Sequence, residues 1–420
     1  MLSPATTPLP TAVEADLRHV IYALSDALDL VGVDDVAHGK RVGIMAAECA
    51  RHMGLGESEI SFLFDLGLLH DIGVSSTRTH QHLIKEFDWG GSQDHAIDGH
   101  ALVAGYAPLA AMGEPIRYHH TRWDQLIATG ASAQVMRQAN LILLVDRIDA
   151  LTSPYYASNS VLLHVDDIRS QIRARSGTYF DPQLVEAFLG VSVSEAFWLL
   201  LEPRSIQFYQ QEMLTHREPC FACTDELKHL ACLFAHIVDA KSPFTAEHSL
   251  GVARLSRLLA EKMGVSEINC DKLEIAGLLH DLGKLRVPDE ILEKPASLSR
   301  EERAIINAHS FETFQILRNI DGFEEISRWA AYHHEEPDGS GYPFHLRAEA
   351  MPLEARILRV ADIFQAMVQN RPYRKGLGAD EVSAFLDNLV AKHRLDEKIV
   401  AVAKLWMDEA MQAAHPPAWH

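Results

Sequence analysis

GLLHDLGK at residues 277–284 and GLLHDIGV at residues 67–74 are one short pattern written twice in the same chain. Each reads as the apolar end of a helix, then His-Asp, then a glycine-bearing turn. Outward from that pair, residues 17–73 lie on 227–283 at a constant offset of 210 with no gap, and sixteen of the 57 positions are identical. The matches include Leu17/Leu227, His19/His229, Asp29/Asp239, His38/His248 and Met53-Gly54/Met263-Gly264. Further on, loops of different length move the register. His95 then pairs with His309, His119-His120 with His333-His334, and Asp146 with Asp362. His38 to His70 and His248 to His280 are both 32 residues apart, and His95 to His119 and His309 to His333 are both 24 apart. Chance does not preserve both rare residue types and their spacing, so the chain carries a duplicated domain.

Each copy reads as helical. LSRLLAEKMG (255–264) places apolar residues at three- and four-residue steps and ends on a glycine stop. Ser299 opens a Ser-x-x-Glu start, with acidic residues suited to a first helical turn. EARILRVADIFQAM (354–367) and DEVSAFLDNLVAKH (380–393) keep the same period, and no alternating strand pattern of useful length competes. The expected fold class is all-α: two tandem helical bundles, at residues 1–210 and 211–420, joined within the proline- and cysteine-bearing stretch 200–225.

Composition bounds the function. The 420 residues are 47% hydrophobic and 23% charged, a globular balance long enough for two domains. A formal charge of −20 excludes a surface for long nucleic acids, whose phosphates need many Lys/Arg contacts. A small anion needs only a few placed cations. No apolar run reaches the length of a membrane span, and no export signal opens the chain. Five cysteines make no disulfide framework, so the expected setting is the cytoplasm. Cys220-x-x-Cys223 has no second pair to complete a zinc site and reads as incidental thiols.

The second copy concentrates His248, His280, Asp281, His309, His333, His334 and Asp362. Imidazoles offer neutral nitrogen ligands, and a carboxylate can bridge two cations and offset their charge. Five His and two Asp suit two divalent ions that share one Asp and clamp a phosphate. Taken singly, a His is more often a core or surface residue, and an HD dipeptide is commonplace. The joint pattern, with a counterpart for each member, is what points to metal.

LLHDLGK (278–284) followed by HHEEPDGSGYP (333–343) resembles the HD-GYP class of HD-superfamily phosphodiesterases over about residues 224–410. The resemblance implies two HD-type helical bundles, a histidine-rich centre of two divalent ions (iron, with manganese an alternative), and hydrolysis of a cyclic dinucleotide by a hydroxide bridging the metals. Cyclic di-GMP or 3′,3′-cyclic GMP-AMP is the implied substrate, and a linear 5′-phosphorylated dinucleotide the product. It places His248, His280, Asp281 and Asp362 around one ion and His309, His333 and His334 around the other, with Asp281 bridging. Asp281 and Lys284 are the implied catalytic residues, Lys284 stabilising charge on the phosphate or the leaving oxygen. Gly341, Tyr342 and Pro343 form the signature loop, and Arg371 and Arg374 of RPYR form a phosphate clamp. Asp338 either supports a ligating histidine or fixes the Asp-Gly turn. Some members carry a Glu four residues before the first His and bind a third ion. Phe244 stands there in this chain, so two ions are expected.

The first copy keeps a possible ligand set, His38, His70, Asp71, His95, His119, His120 and Asp146. Val74 replaces Lys284, HHTRWDQL replaces the Tyr-Pro loop, and SPYY (153–156) replaces RPYR. Metal ligands survive and substrate contacts do not. The expected role is therefore a regulatory or structural metal domain, with a packing or dimerising relic as the plainer alternative; a homodimer stays open. Competing functions are a cyclic dinucleotide receptor or scaffold, and phosphohydrolysis of another nucleotide.

Overall fold

The computed structural model describes residues 12–32, 37–85, 87, 89–215, 219–241, 248–370 and 375–415. Among them the regular structure is helical except for two-residue strands Ala15–Asp16 and Phe221–Ala222, which pair antiparallel. The all-α expectation holds. None of the described helices is long and apolar enough to cross a membrane.

The chain separates into two compact units, Leu24–Glu218 and Met1–Ala23 with Pro219–His420. The join expected at 210/211 falls inside the helix Pro203–Thr215, and the division comes after it. The first residues group with the second unit because Ala15–Asp16 pairs with Phe221–Ala222 and Leu17 N donates to Cys220 O at 2.8 Å. Cys220 and Cys223 are exposed free thiols beside that pairing.

Each unit builds its centre on a helix pair. In the first these are His38–His52 and Glu57–Leu69; in the second, His248–Lys262 and Glu267–Leu279. The repeated Met-Gly stops the leading helix in the same way in both. Gly54 and Gly264 take positive φ of 73° and 75°, a conformation that glycine adopts without steric cost. Gly54 N then donates to Arg51 O and Leu55 N to Ala50 O, while Gly264 N donates to Glu261 O and Val265 N to Ala260 O. This is a Schellman stop, which satisfies the last helical carbonyls and turns the chain back.

The returning helix crosses its partner closely at the glycine of GLLHD. A Cβ on Gly277 would lie 2.7 Å from Ala253 Cα, and one on Gly67 would lie 2.5 Å from Gly43 Cα. The following leucines, Leu68, Leu69, Leu278 and Leu279, are buried. Burial of two such side chains on each helix, at roughly 1.5–3 kcal/mol each, fixes the rotation of that helix. The residues at its end, His70-Asp71 and His280-Asp281, are thereby turned inward as well. Ser299 caps the helix Arg300–Asn307 as its sequence suggests, with reciprocal bonds to Glu302 at 3.2 and 2.7 Å.

Gly277→Ala is expected to destabilise the protein by about 1–3 kcal/mol, because backbone lies where the methyl must go. Gly105→Ala, with open space around the new Cβ and a right-handed φ of −81°, is the control and should be neutral or slightly stabilising. Urea denaturation followed by circular dichroism separates the two; equal midpoints would show that the crossing is looser than this geometry.

Candidate functional site

The histidines at the centre of the second unit are held by the backbone. Nδ1 of His280, His309 and His333 lies 2.8, 2.6 and 2.6 Å from the carbonyl oxygens of Gly277, Ile306 and Ala330, each three residues earlier. A carbonyl only accepts, so Nδ1 carries the proton and each Nε2 keeps its lone pair for another partner. His70 and His119 repeat the arrangement with Gly67 O at 2.8 Å and Ile116 O at 2.6 Å.

Those Nε2 atoms meet the Asp281 carboxylate on two sides. Oδ2 lies 3.3 Å from His280 Nε2 and 3.7 Å from His248 Nε2. Oδ1 lies 3.4 Å from His309 Nε2 and 3.7 Å from His333 Nε2, and those two nitrogens are 3.2 Å apart. Asp362 Oδ1 completes the first side at 3.5 Å from His248 Nε2. His248, His280 and Asp281 form one group able to hold an ion, and His309, His333 and His334 form another.

The donor set fits divalent cations. Ligand atoms ~2.1 Å from one ion stand roughly 3.0–3.4 Å apart in octahedral or tetrahedral arrangements, close to the separations found here. His280 Nε2 and Asp281 Oδ1 are buried with no hydrogen-bond partner, a cost that a cation would remove. Burial pushes His333 and His334 well below the ordinary imidazole range, so both are neutral and able to ligate. Burial alone would raise the Asp281 carboxyl, but His280 and Lys284 outweigh it and hold it well below the usual carboxylate range. Lys284 Nζ bonds to Asp281 Oδ2 directly.

Tyr342 stacks over His334, ring centres 4.7 Å apart and planes inclined by 29°, and its N donates to His334 O at 3.2 Å. Gly341 packs on the backbone of Glu335 and Glu336, where a Cβ would come within 2.3 Å of Glu336 N. Pro343 follows Tyr342 in that loop. Asp338 serves the turn: its Oδ1 accepts from Ser340 N at 2.8 Å. Phe244, Arg371 and Arg374 lie outside the described residues.

Several supporting residues escaped the sequence reading. Gln365 Oε1 stands 2.5 Å from His248 Nδ1. Buried Glu335 accepts from Phe344 N and Leu346 N at 2.7 and 2.8 Å and so shapes the signature loop. Buried Glu336 accepts from Arg359 at 2.7 Å and from Arg394 at 2.6 Å. Arg359 also lies 3.1 Å from His334 Nδ1 and 3.8 Å from Asp362 Oδ2. The available signal was helical spacing: Arg359 and Gln365 stand three residues either side of Asp362.

The first unit assembles its seven residues in the same form. Asp71 Oδ2 faces His70 at 3.5 Å and His38 at 3.8 Å; Oδ1 faces His95 at 3.2 Å and His119 at 3.6 Å. Asp146 lies 3.5 Å from His38 Nε2. Asp71, His95, His119 and His120 form one possible metal group, and His38, His70 and Asp146 form another. His70 Nε2 and Asp71 Oδ1 again lack hydrogen-bond partners. The surroundings differ. His38 Nδ1 meets a carboxylate, Asp149 Oδ2, at 2.8 Å, and Asp149 also binds Arg41 and Tyr156. Burial opposes a charge on His38, yet Asp149 overrides it and raises His38 to about 9, whereas burial and His280 lower His248 to about 4. Val74, in the place of Lys284, is buried.

The HD domain family matches residues 232–399 and again 36–153. The chain is 36% identical over 403 residues to 3′3′-cGAMP-specific phosphodiesterase 1 of Vibrio cholerae, covering 92% of this chain and 91% of that one. It is 37% identical to a cyclic di-GMP phosphodiesterase of Thermotoga maritima, over 38% of this chain and 44% of that one. A crystal structure of a cyclic GMP-AMP-specific phosphodiesterase from V. cholerae superimposes with a TM-score of 0.63 at 24% identity, covering 96% of this chain and 98% of that one, and shares its fold.

Replacing His280 and Asp281 together by Ala is expected to remove about half of the metal that the full chain binds, since the first set remains intact. Elemental analysis of the purified proteins checks this. Near-complete loss would show that the first set holds no ion.

Proposed function

Because the chain belongs to the HD-domain phosphodiesterases of HD-GYP type, we propose that it is a metal-dependent hydrolase of cyclic dinucleotides whose reaction takes place at the second His/Asp centre. The observation that carries this reading is the Asp281 carboxylate, with one oxygen toward each histidine group and Lys284 at its edge. His248, His280, Asp281 and Asp362 would hold one divalent ion and His309, His333 and His334 a second, with iron or manganese suiting the nitrogen-rich set. Bound there, the ions supply a Lewis acid for the phosphodiester and acidify a water near neutral pH.

The chain's own groups do the rest. The carbonyl-locked imidazoles keep the donor atoms in place through turnover. Lys284 sets an ammonium beside the reacting phosphate, where charge grows on the leaving oxygen. Tyr342, stacked on His334, offers its other face to a base or ribose. Arg371 and Arg374 suit bidentate contact with the second phosphate of the ring. Attack opposite the 3′ oxygen opens the ring to a linear 5′-phosphorylated dinucleotide. We assign 3′,3′-cyclic GMP-AMP ahead of cyclic di-GMP, since the relative matched across both units is specific for the former. The first unit retains the donor set without Lys284, Tyr342 or the arginines, and its role is regulatory. The reaction belongs in the cytoplasm.

Anaerobically prepared protein should open both rings with either metal, and 3′,3′-cyclic GMP-AMP faster. Lys284→Ala should lower kcat by about 10²-fold with metal content and circular dichroism unchanged. Chromatographic product analysis decides both points: full activity of the variant removes the role given to Lys284, and hydrolysis of neither ring overturns the assignment.

A further inference from the structure

Two buried positions beside the leading histidine of each set change together between the copies. In the first unit Arg41, three residues after His38 on the same helix, lies against Asp149: Nε donates to Oδ1 at 2.6 Å and Nη2 to Oδ2 at 2.9 Å. The same carboxylate accepts from Tyr156 OH at 2.6 Å and stands 2.8 Å from His38 Nδ1. In the second unit Arg41 has become Gly251, three residues after His248. Asp149, three residues after Asp146, has become Gln365, three residues after Asp362. All four positions are buried.

One packing solution replaces another. A Cβ on Gly251 would lie 2.9 Å from Gln365 Cγ and 2.8 Å from Ala414 O, at the end of the helix Met407–Ala414. Glutamine, one methylene longer than aspartate, thus fills the space that the missing side chain at 251 leaves, and an arginine has no room to return. Without that guanidinium a carboxylate at 365 would be buried and uncompensated, and an amide stands there instead. Gln365 Oε1, 2.5 Å from His248 Nδ1, keeps one task of the acid. A carbonyl oxygen only accepts, so Nδ1 carries the proton and Nε2 keeps its lone pair toward Asp281 and Asp362, 3.7 and 3.5 Å away. The other task, supplying negative charge behind the ring, is dropped.

We infer that Gln365 is a positioning residue that leaves the ion on His248 exchangeable, while Asp149 holds the corresponding ion of the first unit firmly. A carboxylate bonded to the far nitrogen of an imidazole raises the basicity of the ligating nitrogen and adds attraction for a cation. An amide orients the ring and adds neither. The inference rests on the second His/Asp centre holding metal, as proposed above, and names the residue that sets how readily one of its ions comes and goes. Loading of the second centre then follows the supply of divalent metal, and the first centre stays loaded.

The test follows release of manganese from the loaded full chain into an excess of a chelator. The portion missing from the variant with His280 and Asp281 replaced by Ala belongs to the second centre. Gln365→Glu, equal in size, should slow release of one ion of that portion about tenfold. Gln365→Leu, which removes the acceptor, should speed it about tenfold or more, with circular dichroism of both variants unchanged. A role in packing alone would not move the two variants in opposite directions. Asp149→Asn should speed release from the first centre and leave the second as it was. A rate at the second centre that Gln365→Glu does not lower, or that Gln365→Leu does not raise, overturns the inference for Gln365, and no effect of Asp149→Asn overturns it for the first unit. If the His280/Asp281 variant holds as much manganese as the parent, the metal reading of the second centre falls, and this inference with it.

Discussion

Asp281 is buried, charged, and divided between two sets of imidazoles, and this one carboxylate sets the terms for everything around it. A carboxylate removed from water is tolerated only where positive charge or hydrogen bonds meet both of its oxygens. The turn after it is built to bring both sets within reach. Thr313 Oγ1 donates to His280 O at 3.1 Å and accepts from Gly283 N at 3.0 Å, which ties the turn to the helix His309–Leu317. A Cβ on Gly283 would lie 2.1 Å from His309 O, so the backbone of the turn rests directly on the start of that helix. Gly73 stands against His95 O in the same way, at 2.0 Å. The glycine two residues after the Asp is therefore what allows a helix from later in the chain to deliver its histidine to the far oxygen.

Much of this was legible because it depends on local chemistry that leaves a periodic trace. The equal spacings of 32 and 24 residues between histidines place helix ends, and the ends are where carbonyls three residues earlier can lock a ring. Met53-Gly54 and Met263-Gly264 could be read as stops because only one backbone conformation ends a helix so sharply. What stayed hidden were residues whose partners come from distant segments. Glu336 reads as a solvated charge beside a proline, yet it is buried between Arg359 and Arg394. Gln365 reads as a polar position on a helix and is in fact the support of His248. The extent of the first unit was hidden for a similar reason, since the strand pairing that draws residues 15–16 to 221–222 involves two residues a side and no strand signal.

The two copies share donor atoms and differ in what stands behind them. Behind His38 is a carboxylate, Asp149, itself tied to Arg41 and Tyr156; behind His248 is the amide of Gln365. A carboxylate behind an imidazole increases its basicity and holds it more firmly. The first copy also pairs Lys40 with Asp29 at 2.6 Å, where the second satisfies Asp239 with Ser249. In the second copy Lys284, about a quarter exposed, pairs among the described residues with Asp281, and from there it can turn from the carboxylate to a phosphate. The two copies thus differ in which charges are already committed.

That distinction also explains how a chain of net charge −20 can act on an anion. The surface field repels a dinucleotide diester, but at physiological ionic strength it is screened beyond about 8 Å. Attraction must therefore come from cations within contact distance, where screening is weak and desolvation strengthens each bond. A long polyanion would remain in the repelling field along most of its length, whereas a cyclic dinucleotide carries only two charges and can place both inside the site. On the proposed function, an acidic surface with a few inward cations would favour a compact diester over the same chemical bond in a polymer.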